Sequence, residues 1–308
     1  MPDALARFFQ SARVRVALSV VQKLVGLAAL FVIVRELSHI GWRELWAGLP
    51  SSPAFYAVFM AIYFLGPGID ALIYGRLWGT SPLCNLPVLL RKRIFNEIVV
   101  DYAGEAYLYI WAKRNLALDG RKLASTIKDV NLLSGAASNV VTLVLIAGFI
   151  AGGYGAMLAS IDPDVMHAVM AVAALAITVP LLLFVFRGRL LAVSRGALVA
   201  IMSAHISRIL LVLALQVVQW SAALPQVPAA QWMLFLTAQM LVTRLPLLPN
   251  RDIVLMGLGV ALAPLISAPQ NHVASMFVAA GALSLITHAV IFVVTAARPP
   301  VQPEPQPA

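Results

Sequence analysis

PVLLRKRIFNEIVVDYAGEAYLYIWAKR, residues 87–114, decides how the chain is read. It is apolar enough to enter a membrane and too charged to cross one as an ordinary span. Arg93, Glu97, Asp101 and Glu105 recur every four residues, so on a helix they form one slowly turning stripe. Tyr109 and Lys113 continue that spacing, and Ile94, Ile98, Leu108 and Trp111 supply apolar surface beside it. Arg91, Lys92 and Arg93 stand at one end, Lys113 and Arg114 at the other. Positive charge marks the cytoplasmic side of membrane loops, so both ends are expected on that side. A segment that enters and returns must reverse, and Gly104 is the expected break. Irregular backbone at membrane depth persists only where protein or a water-filled cavity surrounds it. The stretch therefore predicts a polar cavity inside a helical membrane protein, lined by the stripe.

The rest of the composition agrees with that reading. Hydrophobic residues make up 61% of the 308, charged residues 11%, and mean hydropathy is +0.89. A soluble chain carries about a quarter charged residues. The expected fold class is an all-α, polytopic transmembrane helical bundle with one or two re-entrant or broken helices. Polar intervals are short, which predicts one membrane domain over 1–298 and a disordered, proline-rich tail over 299–308. The net charge of +9 would point to nucleic acid in a soluble protein. Here the basic residues gather in loops, so the expected partners are membrane lipids with anionic headgroups, and no nucleic acid. The single cysteine, Cys84, excludes an internal disulfide and any cysteine-rich metal site.

Outward from the central stretch, spans are expected at about 16–35, 54–78, 130–150, 165–186, 197–222 and 272–297. The second is interrupted by Gly66, Pro67 and Gly68, with Asp70 just after. Asp70 either hydrogen-bonds near the membrane surface or faces a cavity. In the 130–150 span, Asn131, Ser134, Gly135, Ser138 and Thr142 share helical spacing. Such a face more often packs closely against another helix than binds a ligand. Arg208 lies near half depth of the fifth span, where a charge costs roughly 2.5–3.5 kcal/mol on insertion scales. A carboxylate partner is expected for it among Glu97, Asp101 and Glu105. The interval 231–268, broken by Pro246 and Pro249 with Arg244 and Arg251 around the break, either crosses twice or dips in and reverses. Charge placement predicts cytoplasmic N- and C-termini. The candidate substrate-contacting residues are Arg93, Glu97, Asp101, Glu105, Tyr109, Arg208, Arg244 and Arg251.

Enzyme signatures are missing. The five histidines are dispersed, and no HExxH, Walker or GxSxG motif occurs. No catalytic residue, metal or cofactor is expected. Three acids spaced by four mark a helix face rather than a metal-binding loop, although proton relay or simple pairing with Arg93, Arg208 or Arg244 would also account for them.

The block Tyr102–Asp129, YAGEAYLYIWAKRNLALDGRKLASTIKD, resembles the Gly-Glu region of the lysylphosphatidylglycerol synthase transmembrane-domain family, also called flippase-like proteins. The matching features are Gly104-Glu105, Lys113-Arg114, Leu118-Asp119-Gly120 and the run from Ala124 to Asp129. LPLLPNRD, residues 245–252, resembles the family's second proline-containing motif. The chain departs from the family at Tyr107-Leu108, where an Arg is common, and at Asn250-Arg251-Asp252, where glycines and a Glu are common. The resemblance implies a stand-alone protein of the bacterial inner membrane that moves a phospholipid or lipid-linked glycan between leaflets. The soluble aminoacyl-transfer domain of the family's bifunctional members has no counterpart here, so synthase activity is not implied. The alternatives are a membrane-embedded transferase or phosphatase acting on a lipid carrier, and a non-transporting scaffold of an envelope-synthesis complex.

Overall fold

A computed structural model of the chain describes residues 49–98, 102–154, 177–242 and 270–296, with 43, 47, 170 and 174 as isolated positions. The expected span at 16–35, Asp101, Arg244, Arg251, the course of the chain between 243 and 269 and the tail at 299–308 lie outside these residues. So does much of the first half of the expected span at 165–186.

Every regular element among the described residues is helical. The helices are α1 (Pro53–Trp78), α2 (Pro82–Ile98), α3 (Ala103–Asn115), α4 (Gly120–Phe149), α5 (Arg187–Leu190), α6 (Arg195–Ala223), α7 (Trp232–Val242) and α8 (Gln270–Ala296). Local chemistry sets several boundaries. Pro53 opens α1, where its missing N–H would be unpaired in any case. Gly79 closes it in the left-handed conformation at φ 68°, and the Thr80 N–H donates back to the Gly75 carbonyl at 2.9 Å. Asp119 caps α4 by accepting from the Arg121 and Lys122 amides at 3.0 and 3.2 Å, and Ser194 caps α6 through the Ala197 amide.

Four helices are long and apolar enough to cross a membrane: Pro53–Trp78, Gly120–Gly152, Arg195–Ala223 and Ser275–Thr295. They coincide with four of the expected spans, except that α4 starts at Gly120, nearly three turns before the expected start near 130. The all-α bundle is thus the architecture of an integral membrane protein. Its outward surface is apolar, with Leu72, Val199, Ile286 and Val293 more than half exposed. In water such a surface would be an aggregation liability; lipid tails are its natural solvent.

Between α1 and α4 the chain forms a helical hairpin. At about 1.5 Å per residue, the 17 residues of α2 and the 13 of α3 reach roughly 25 and 20 Å. Neither limb matches the ~30 Å hydrocarbon core. The first limb ends at Ile98 and the second begins at Ala103, so Gly104 lies inside the second limb and not at a break. Tyr102 takes the left-handed conformation at φ 72° at the start of α3. Gly104 has a different task. A Cβ there would lie 2.1 Å from the Lys92 carbonyl oxygen and 2.7 Å from Asn96 Oδ1. Only glycine lets the two limbs approach so closely, and the Gly104 N–H uses the proximity to donate to Asn96 Oδ1 at 2.7 Å. Lower down, the rings of Phe95 and Tyr107 pack at 4.8 Å.

The basic loops share one end of the bundle. Asp129, fully buried, accepts from the Ala192 and Val193 amides at 2.6 and 3.0 Å, tying the loop after α5 to α4. Lys128 adds an ion pair to Asp129 and a hydrogen bond to the Leu190 carbonyl. Arg91 donates to Thr295 at 2.8 Å, which brings the C-terminal end of α8 toward the same end. One apolar core, around Tyr74, Trp78, Leu89 and Leu108, fills this basic end. A second, around Trp220, Trp232, Phe235 and Met276, fills the opposite end.

Candidate functional site

Between the two cores lies a cavity of about 560 Å³, within the size range of small-molecule sites. Three spanning helices supply Gly66, Pro67 and Asp70, residues between Asn131 and Ser138, and His205 and Arg208 to its wall, each set from well inside its helix. The hairpin supplies Lys92, Arg93, Asn96, Glu97 and Glu105. Exposed Tyr102 and Glu97 set its opening near the hairpin's turn.

The wall is polar because small residues leave room there. Of the lining residues, Gly66 and Gly135 have open space where a Cβ would stand. The Ser134–Gly135–Ser138 face, expected as a close helix contact, therefore faces the cavity; only Thr142, fully buried and bonded back to the Ser138 carbonyl, is inside the packing.

At the centre, Asp70 receives two cations. Lys92 Nζ reaches its Oδ2 at 3.1 Å, and Arg208 reaches its Oδ1 at 3.2 Å. Arg208 also donates to the Ser134 hydroxyl at 3.0 Å. Lys92 is shared with Glu105, whose Oε1 stands 3.4 Å away, and it lies over the Tyr74 ring. All four charged side chains are at most 19% exposed. The need for a partner at Arg208 was legible; the partner was not. It is Asp70, on the first described helix, and not Glu97 or Glu105.

A second cluster follows from Pro67. Proline has no N–H, so the Tyr63 carbonyl one turn earlier loses its helical donor. Arg93 supplies the replacement, donating to that carbonyl at 2.6 Å with its guanidinium 4.4 Å from the Tyr63 ring centroid. Arg93 also pairs with Glu97 at 2.7 Å, one turn along α2. The other Glu97 oxygen is 2.7 Å from His288 Nε2 on α8, and His288 Nδ1 is 2.7 Å from the Tyr63 hydroxyl. With Glu97 ionised, Nε2 carries the proton and donates to it, leaving Nδ1 to accept from Tyr63.

Of the expected site residues, Arg93, Glu97, Glu105 and Arg208 meet in the cavity. Tyr109 does not. It packs in the basic-end core beneath Lys113, with its hydroxyl against Gly120. The hairpin turn interrupts the stripe, and one helical turn below Glu105 the chain has already left the cavity. Asp101, Arg244 and Arg251 lie outside the described residues. Sequence reasoning missed Lys92 and Asn96, which stand one position before the stripe at the same spacing of four and face Gly104. Among the described residues, no three His, Cys, Asp or Glu side chains gather as a metal site; Asp70 and Glu105 face Lys92 instead. No family model matches the chain, and no curated protein and no solved structure matches it either.

Proposed function

We propose that this protein is a flippase-like membrane protein of the bacterial inner membrane that carries a lipid headgroup through its cavity while the acyl chains stay in the bilayer. One observation carries the reading: a charged cavity at mid-height of an apolar bundle, walled on one side by a hairpin whose limbs are too short to cross. Interrupted helices around a site near the midplane are the arrangement transporters use for polar cargo. Buried ionisable groups at that depth are costly to maintain and mark pathways for charged or polar substrates. The resemblance at Gly104-Glu105 to the lysylphosphatidylglycerol synthase transmembrane family points the same way.

In this reading the basic end is cytoplasmic, and anionic lipids gather against its loops. The hairpin is re-entrant: it enters and leaves from that side, and the C-terminus lies there too. The experiment is leaflet exchange of fluorescent phospholipids in liposomes holding the purified protein. Exchange well above protein-free vesicles is expected. A folded, correctly inserted protein without exchange overturns the proposal. Cysteine labelling at positions 91 and 114, in a Cys84→Ser background, is expected from one side of the membrane only; labelling from opposite sides removes the re-entrant hairpin.

A further inference from the structure

The charges of the cavity say which headgroup it suits. Among the described lining residues, Asp70, Glu97 and Glu105 balance Lys92, Arg93 and Arg208. Each base is already within ion-pair distance of an acid. An anionic headgroup would bring an uncompensated charge into a poorly hydrated interior, where unpaired charge is strongly unfavourable. A zwitterion brings none. It can enter an existing pair, giving its cation to the carboxylate and its anion to the base.

One pair is suited to that exchange. Asp70 has both oxygens engaged, by Lys92 and Arg208, and Glu97 has both engaged, by Arg93 and His288. Glu105 differs. Among the described residues, its Oε1 is held by the longest ion pair of the cavity, 3.4 Å to Lys92, and its Oε2 is buried with no hydrogen-bond partner. A carboxylate short of donors calls for a cation that carries N–H groups. A quaternary ammonium has none and is held instead by several aromatic rings, whereas the described lining residues offer a single tyrosine, Tyr102. On the anion side, Lys92 stays paired with Asp70, and of its three N–H donors the one facing Glu105 becomes available as Glu105 turns to the ligand. Arg208, with five donors, is bonded to Asp70 and Ser134 and lines the same cavity as Ser138.

We infer that the cavity takes a zwitterionic headgroup made of a primary ammonium and a phosphodiester, with the ammonium on Glu105 and the phosphodiester against Lys92 and Arg208. This rests on the lipid-carrying reading above and names its substrate class.

The test reconstitutes the full chain in liposomes and follows three acyl-labelled lipids with the same tails: phosphoethanolamine, phosphocholine and phosphoglycerol headgroups. Exchange of the phosphoethanolamine lipid is expected to exceed each of the others by about tenfold, the scale of one charged hydrogen bond. Glu105→Gln is expected to bring its rate down to that of the phosphocholine lipid. Faster exchange of phosphoglycerol, or equal rates for the two zwitterions, overturns the inference while leaving lipid translocation standing. No exchange of any lipid overturns translocation itself. The headgroup assignment is then decided by thermal stabilisation of the protein in detergent by the same three lipids. Greatest stabilisation by phosphoethanolamine, lost in Glu105→Gln, upholds it; greatest stabilisation by phosphoglycerol rejects it.

Discussion

The cavity's two charged clusters are built on opposite plans. Around Asp70, three elements meet at one carboxylate, the distances are 3.1–3.4 Å, and every participant is largely buried. Around Glu97, the bonds are 2.6–2.7 Å, the central pair is one helical turn apart, and the carboxylate is 42% exposed. The first cluster is a junction of long-range charges shielded from water. The second is a local ion pair onto which Tyr63 and His288 are added. Shielded charges depend on one another, because none can fall back on solvent; exposed ones can.

That contrast orders the expected effects of substitution. Asp70→Asn removes the charge facing Lys92 and Arg208 together. Breaking a buried pair costs about 3–5 kcal/mol in soluble proteins, and a loss on that scale is expected in thermal unfolding of the detergent-solubilised protein. Lys92→Met in the same chain should return part of it. A stable single variant would erase the distinction between the clusters. Gly104→Ala comes next. Its methyl group meets backbone, which cannot turn aside, so a loss of about 3 kcal/mol is expected, at the upper end for overpacking. Since α2 carries partners of both clusters, this variant should weaken both, and a change confined to one would show that the limbs move separately. His288→Phe should have the smallest effect. It strips a partner from the Tyr63 hydroxyl and from Glu97, but water can reach Glu97, so about 1 kcal/mol is expected. A loss as large as that of Asp70→Asn would mean that the exposed cluster holds the bundle together.

The same contrast explains what could be read from the residues. Arg93 and Glu97 are four apart, so helical spacing displays them. Asp70 meets Lys92 across 22 positions and Arg208 across 138, and no local pattern records such meetings. Depth told that Arg208 needs an acid, without telling which. The spans were legible because lipid demands long apolar runs, and α1, α4, α6 and α8 fall where hydropathy puts them. The reversal of the hairpin was legible from charge at both ends, but its position was misplaced onto Gly104. Glycine serves both sharp turns and close approaches, and sequence does not distinguish the two uses. Tyr109 was drawn into the site by a spacing that assumed one unbroken helix.

Gly104 therefore separates two properties that side-chain contacts would have joined. The height of Lys92 within the bundle is fixed by main chain resting on main chain, through the Lys92 carbonyl and the Gly104 Cα. Side chains around the cavity can change without altering that height. If the cavity carries a lipid headgroup, as proposed, its preference rests on side chains set upon a main-chain contact that they do not make, so a change of preference need not change how the two limbs meet.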